Sequence, residues 1–298
     1  VDLSNITSLG ASSLADLATL STAITNSQFS SDNLIANIAV ADSGNNATLD
    51  AGALTTQIDN FQGHKNNNSV AFSFANGSDT ITIGTTAELT AVLADIASGA
   101  LVLTDQNITV SATDDNGNAH KISVSNANKL AADTGGTVTA TIATTESVDS
   151  LKLLRTPDAN GGGTGQTSEA NAYTIVITNN AADASLSTAE EFNTINAATS
   201  VAVDAATVTA LASSGLAAFT TLMDSAQQTA EFTNTSFRSL ATVVIDANNA
   251  VDIGDLNTAI TGANTVATTY SANNGGAKTT FTVAGELSGD KTELDALL

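Results

Sequence analysis

The chain has 298 residues, with 8 Lys and Arg against 30 Asp and Glu, and its formal net charge is −22. Such an acidic surface repels phosphate backbones and anionic lipid headgroups, so nucleic-acid binding is not expected. The absence of Cys excludes disulfides, zinc–thiolate sites and cysteine nucleophiles. No apolar run approaches the roughly 18–20 residues of a membrane-spanning helix, so membrane insertion is not expected either.

Short runs of alternating apolar residues recur along the chain, and each is followed by a stretch with helical spacing. Successive runs lie between roughly 27 and 43 residues apart, which is the range of repeat proteins without their fixed period. The runs cover Val1–Ile6, Ile38–Asp42, Ile81–Leu89, Val138–Ile142, Ile175–Thr178, Val201–Leu211, Val243–Ile253 and Phe281–Val283. We therefore predict a repeat of strand, turn and helix.

Each helical stretch carries one apolar stripe. Apolar residues from Leu14 to Ile24 fall three to four positions apart, and Thr85–Glu88 has the Ser/Thr-x-x-Glu pattern that begins a helix. Helices shorter than about 12–15 residues rarely persist alone in water. These helices are therefore expected to lie against the strands.

Two segments depart from the repeat and are predicted to be β-hairpins. Ile108–Val124 contains two period-two runs joined by Asp-Asp-Asn-Gly-Asn, and Val70–Phe74 is separated from Ile81–Ile83 by an Asn-Gly pair. Asn-Gly favours the primed turns of hairpins because it tolerates positive φ angles. The Gly-rich segment Thr156–Gly165 is predicted to be a flexible boundary.

These features predict three regions. They are N-terminal strand–helix repeats over 1–106, a β-hairpin and Gly-rich loop region over 107–172, and C-terminal strand–helix repeats over 173–298. At Asp290–Leu298 a helical pattern begins and stops after about two turns, which indicates a piece of a longer polymer.

The predicted fold is mixed β with short α-helices, an elongated strand–turn–helix array similar to a β-solenoid. The low aromatic content, 4%, favours this fold because small aliphatic side chains fill narrow coils. The alternative is two α+β or β-sandwich-like domains divided near Gly161.

Two C-terminal segments resemble a known group of proteins. Ala189–Leu211, with the sequence AEEFNTINAATSVAVDAATVTAL, and Asp255–Ile260, with the sequence DLNTAI, are similar to repeats of very large Ala- and Thr-rich cell-surface proteins of marine cyanobacteria. Similar stretches occur in appendage proteins of the phages that infect these cells. The resemblance covers about residues 186–262. It implies an extracellular structural or adhesive role and brings no catalytic residues with it.

Calcium is the one cofactor for which the sequence offers ligands, because hard oxygen donors suit Ca²⁺. The first candidate site comprises Asp114, Asp115, Asn116 and Asn118. A plain Asn-Gly turn explains the same residues and is the alternative. The second candidate site comprises Asp246, Asn248, Asp252 and Asp255. There the alternative is a helix start, since Asp near a helix N-terminus complements the dipole.

No catalytic motif occurs in the sequence. His64 and His120 lie outside metal-binding and catalytic spacings and are expected to be solvated. Gly161–Gly165 is not followed by Lys-Ser/Thr, so a loop is favoured over a phosphate site.

We therefore expect an extracellular structural module of a surface layer, filament or adhesin, which is not an enzyme. It is expected to form a homo-oligomer or polymer, or to attach to a cell-surface glycan or receptor. A phage fibre or appendage protein that binds a host receptor, and so belongs to a virion, is the alternative. A polysaccharide-degrading enzyme is a third and weaker possibility, because the chain's 8 basic residues are scattered.

Overall fold

The computed structural model divides the chain into two compact units. Unit 1 comprises Val1–Thr141 with Pro157–Asn171, and unit 2 comprises Ile142–Thr156 with Ala172–Leu298. The structure describes residues 8–26, 35–41, 47–63, 70–77, 79–114, 116–155, 171–178, 187–226, 231–233, 236–237, 240, 242–246, 251–269, 280–284, 287–290, 292 and 295.

Unit 1 alternates short strands with longer helices. Its strands are β1 (Ser8–Ser12), β2 (Asn37–Val40), β3 (Thr48–Asp50), β4 (Ala71–Phe74), β5 (Thr80–Ile83), β6 (Asn107–Val110) and β7 (Val138–Thr141). Its helices are α1 (Leu14–Thr25), α2 (Ala51–Gly63), α3 (Thr86–Ser98) and α4 (Val124–Asp133).

The strands of unit 1 lie in two sheets and pair in parallel. β1, β2 and β4 are neighbours in that order, and β3, β5, β6 and β7 are neighbours in that order in the second sheet. Register partners are distant in sequence: Asn37 pairs with Ala71, and Thr80 pairs with Asn107. Parallel neighbours require long crossover connections, and the helices provide them.

Side-chain caps begin the helices of unit 1. The Ser13 side chain accepts from the Asp16 amide at the start of α1, and Thr85 and Glu88 form a complete capping box at the start of α3. The stripe predicted from Leu14 to Ile24 and the Thr85–Glu88 start are therefore confirmed as helices. Sequential helices contact one another, α1 with α2, α2 with α3 and α3 with α4, so they form a layer of their own.

Unit 2 repeats this plan. Its strands are β8 (Ala172–Thr174), β9 (Ser214–Gly215), β10 (Thr242–Asp246), β11 (Val251–Asp252), β12 (Thr280–Ala284) and β13 (Leu287–Ser288). Its helices are α5 (Val148–Leu151), α6 (Ala189–Ala197), α7 (Leu216–Ala226) and α8 (Ile253–Thr269). The strand orders are β12-β10-β9 and β11-β13, all pairs being parallel, and α6, α7 and α8 contact one another in sequence.

Buried polar side chains reinforce this pairing because the strands are too short to make many ladder bonds. Each of these side chains accepts a hydrogen bond from a backbone amide 25 to 33 residues away. The pairs are Asp79 with Ala47, Asn171 with Val138, Thr199 with Tyr173, Ser214 with Ala189 and Ser236 with Ala205, at 2.9 to 3.0 Å. We call these contacts side-chain brackets.

Two pairs of aromatic rings lie between helices and strands. Phe61 of α2 meets Phe72 of β4 with ring centroids 5.9 Å apart, and Phe219 of α7 meets Phe281 of β12 at 5.6 Å. Both contacts are edge-to-face, a favoured arrangement of aromatic pairs. Large rings therefore fill the space between the two layers, where the sequence analysis expected small aliphatic side chains alone.

The fold predicted from the sequence is wrong. The chain is an α/β fold with eight helices and mostly parallel sheets in its described part, which conflicts both with a β-solenoid-like array and with α+β or β-sandwich-like domains. The difference has a physical cause: the helices are not short attachments to a β core, because they connect the parallel strands and pack on one another. The boundaries predicted at 106 and 172 stay predictions.

Neither predicted hairpin forms as expected. β4 and β5 lie in different sheets, so Val70–Phe74 does not pair with Ile81–Ile83. In Ile108–Val124 the antiparallel contact is limited to Thr113 with Ala119, and α4 begins at Val124, capped by Ser123. Parallel pairing of β6 with β5 and β7 takes precedence over the local turn.

We expect Thr199→Val to lower the free energy of unfolding by about 1–3 kcal/mol, because buried backbone groups lose their partner. The Thr199 hydroxyl accepts from the Tyr173 amide at 2.9 Å and donates to the Tyr173 carbonyl at 2.7 Å. Thr194→Val is the matched control, since the exposed Thr194 hydroxyl bonds only within its own helix. Urea unfolding of both variants measures the difference; equal effects would contradict the bracket's role.

Candidate functional site

The Asp114 loop is the first predicted calcium site. Asp114 Oδ1 accepts the amides of Asn116 at 3.0 Å and Asn118 at 2.7 Å, and Oδ2 accepts the Asn118 side-chain amide at 3.1 Å. These hydrogen bonds hold the pKa of Asp114 below its usual value, and the bond from the Asn118 side chain has the largest effect. Gly117 adopts a φ of 78°, which its lack of a side chain permits. Asp115 lies outside the described residues.

The Asp114 carboxylate thus completes a turn by itself. Both of its oxygens are bound by groups of the same loop, which is the Asx-turn chemistry of the alternative interpretation. Over the described ranges, no group of three or more Asp, Glu or His is placed to hold a metal ion. Calcium at this loop therefore stays a prediction.

The second predicted calcium site is divided among several elements. Asp252 ends β11, and its Oδ1 accepts the amide of Asp255 in the first turn of α8 at 3.1 Å. This is the geometry of a helix start. Asp246 is exposed at the end of β10, and Asn248 lies outside the described residues.

A carboxylate pair on α2 and α3 was missed by the sequence analysis. Asp95 of α3 is only 9% exposed, and its Oδ2 has no hydrogen-bond partner in the described part of the chain. Burial, and then the carboxylate of Asp59 on the neighbouring α2, raise the pKa of Asp95 from 3.8 to about 6. The sequence signal was the position of Asp95 within an apolar helix, between Leu93 and Ile96.

His120 is buried, contrary to the expectation that it is solvated. It is 4% exposed, and neither ring nitrogen has a hydrogen-bond partner among the described residues. Its backbone amide donates to Ala112 at 2.8 Å, which fixes it at the base of the Asp114 turn. The other histidine, His64, lies outside the described residues.

Lys152 organises the acidic groups next to α5. Its ammonium pairs with Asp149 and, at 2.7 Å, with Glu191, the capping-box residue of α6. Hydrogen bonds to these two carboxylates raise the pKa of Lys152, and the bond to Asp149 has the larger effect. The contact links α5 to α6.

An unpaired strand edge lies at β1, beside α1. β1 is the outermost strand of its sheet, so one side of its backbone has no strand partner within the described residues. Unpaired strand edges bind further strands through their amides and carbonyls. We call the outer side of β1 the β1 edge.

The flank of α1 extends the β1 edge. In α1 only Leu17 and Ser21 are buried, whereas α2, which has α1 and α3 beside it, buries six side chains. An open depression of about 440 Å³ lies on α1, lined by Ala18, Thr19, Thr22, Ala23 and Asn26. Small side chains of this kind permit close approach of another backbone.

Comparison with protein-family models, with curated proteins and with solved structures found no match to this chain. Within the described residues, none of the helices combines the length and apolar character needed to cross a membrane.

We expect Asp114→Ala to lower the melting temperature equally in calcium and in chelator, because the lost contacts are hydrogen bonds inside the turn. The destabilisation should be that of a lost side-chain cap. Differential scanning calorimetry in about 5 mM CaCl₂ and in about 5 mM EDTA measures the melting temperature. A calcium-dependent rise in the wild type that Asp114→Ala abolishes would instead establish the first predicted calcium site.

We expect Asp95→Asn to stabilise the protein at pH 8 but not at pH 4. The pKa of Asp95 is higher in the folded chain than in the unfolded chain, so the folded state favours the protonated acid. The stability this provides is complete below about pH 4 and is lost as the pH rises through about 6. The gain from Asp95→Asn at pH 8 should be on the order of 2 kcal/mol.

Urea unfolding at pH 4, 6 and 8 measures this gain. The control is Asp59→Asn. The exposed Asp59 carboxylate contributes less than burial does to the raised pKa of Asp95, so its removal should give a smaller gain in the free energy of unfolding. A gain for Asp95→Asn that does not change with pH would contradict the assignment.

Proposed function

We propose that the protein is an extracellular structural module of a surface layer, filament or adhesin, which works by self-association and not by catalysis. One observation carries this proposal: the chain is assembled from parallel strands and stacked helices, and β1 with α1 leaves an edge of the same kind open in the described residues. An open edge is a liability in a monomer and a means of assembly in a polymer.

The charge distribution supports self-association at this edge. The whole chain carries −22, which opposes the approach of two copies. Residues 8–26, which contain β1 and α1, include a single charged side chain, Asp16. The β1 edge is therefore a nearly neutral region of a polyanion, where contact between copies involves less repulsion than at the acidic surface.

The extracellular location depends on the resemblance of Ala189–Leu211 and Asp255–Ile260 to cyanobacterial surface-protein repeats. Ionic surroundings suit such a chain, because salt reduces the Debye length from about 30 Å at 0.01 M to about 8 Å at 0.15 M. Self-association of an acidic surface module would accordingly strengthen with ionic strength.

We expect the purified chain to form fibres or sheets at 0.5 M NaCl and to remain dispersed at 0.01 M NaCl, because screening removes the repulsion between copies. Negative-stain electron microscopy and light scattering across a concentration series measure this. A monodisperse monomer at both salt concentrations would overturn the proposal. A closed trimer would favour the phage-appendage alternative.

A further inference from the structure

We propose that a second copy of the chain docks on the β1 edge through its own β12, so that copies join head to tail with parallel strands. This inference rests on the proposed function and names the two surfaces that meet. Both strands are outermost in a parallel sheet within the described residues: β1 in the sheet β1-β2-β4, and β12 in the sheet β12-β10-β9. The outer side of β12 is called the β12 edge.

The junction continues an interface that the chain already makes with itself. β1 pairs in parallel with β2, and β12 pairs in parallel with β10. In both sheets the strands lie side by side in chain order: β1, β2 and β4 in one, and β9, β10 and β12 in the other. A second copy's β1 placed outside β12 therefore preserves both the strand direction and the order along the chain.

The side chains at the two edges fit one continuous apolar row. In unit 1 Leu9, Ile38 and Phe72 are register partners, and Ile38 and Phe72 are fully buried whereas Leu9 at the edge is half-buried. In unit 2 half-buried Phe281 is the register partner of fully buried Val243. Placing Leu9 of one copy beside Phe281 of the next removes from water the apolar surface that each leaves exposed.

Charge selects a second copy as the occupant. β12, like β1, contains no charged residue, so the two edges meet without the repulsion that a net charge of −22 produces elsewhere. A cationic partner would find no row of carboxylates on either strand. Because β1 and β12 are different surfaces, their junction is heterologous: every copy added leaves a further edge for the next one.

Substitutions at the two edges test the junction. Gly10 in β1 is exposed, and a Cβ added to it meets nothing within 4 Å, so Gly10→Glu places a charge on the edge without disturbing the fold. Thr282 is exposed on β12 and receives the same charge in Thr282→Glu. Gly63→Glu is the matched control, because Gly63 ends α2, belongs to neither edge strand, and also has nothing within 4 Å of an added Cβ.

We expect Gly10→Glu and Thr282→Glu each to require at least tenfold more protein for assembly at 0.5 M NaCl, and Gly63→Glu to assemble like the wild type. Burying an unpaired carboxylate against a neutral, partly apolar edge produces losses of this size. Sedimentation velocity over a concentration series measures assembly, and melting temperatures close to that of the wild type show that the variants are folded.

A mixture of the two edge variants gives the sharpest test. Gly10→Glu keeps a β12 edge and Thr282→Glu keeps a β1 edge, so together they should form a one-to-one dimer that grows no further. If only Gly10→Glu weakens assembly and the mixture forms no dimer, copies meet β1 against β1 and the inference is wrong. If the wild type assembles and both variants assemble equally well, the inference is wrong while the proposed function stands. A monomeric wild type overturns both.

Discussion

The pairing of each short strand with a strand about thirty residues away is the interaction on which the rest of this structure depends. Strands of two to five residues provide few ladder hydrogen bonds, so pairing alone holds them weakly. Side-chain brackets such as Thr199 to Tyr173 and Ser236 to Ala205 satisfy amides that would otherwise be buried without a partner. Small polar residues, abundant in this sequence, therefore act inside the fold as well as on its surface.

Local features were predictable from the sequence, because they depend on residues three or four positions apart. The apolar stripe from Leu14 and the Thr85–Glu88 capping box both begin helices where the pattern places them. The partner of each strand was not predictable in this way. An Asn-Gly pair near Val70–Phe74 favours a local hairpin, but β4 instead pairs with β2, whose residues lie 34 positions earlier. Helix-mediated crossovers determine that choice, and no short window of sequence contains them.

The candidate sites show the same limit. Asp114 and Asn118 were recognisable as turn or ligand residues because their partners are adjacent in sequence. The closeness of Asp95 to Asp59 results from the packing of α3 on α2, and the burial of His120 results from the layers around it. The β1 edge could not be located from the sequence, because its identity depends on the strand order.

Net charge and assembly are connected through the same pairing. Parallel strands in the interior of an α/β fold must be apolar or neutral on both faces, since helices cover them. The outermost strands inherit this composition although no further strand covers them in the described residues: β1 reads Ser-Leu-Gly-Ala-Ser and β12 reads Thr-Phe-Thr-Val-Ala. Acidic residues of the described part lie at helix starts, as Asp16 and Glu88 do, in turns, as Asp114 does, and at the last positions of strands, as Asp50 and Asp246 do. A chain with a charge of −22 thus stays soluble through most of its surface while its strand edges remain neutral, which is the distribution that directs contact between copies to those edges.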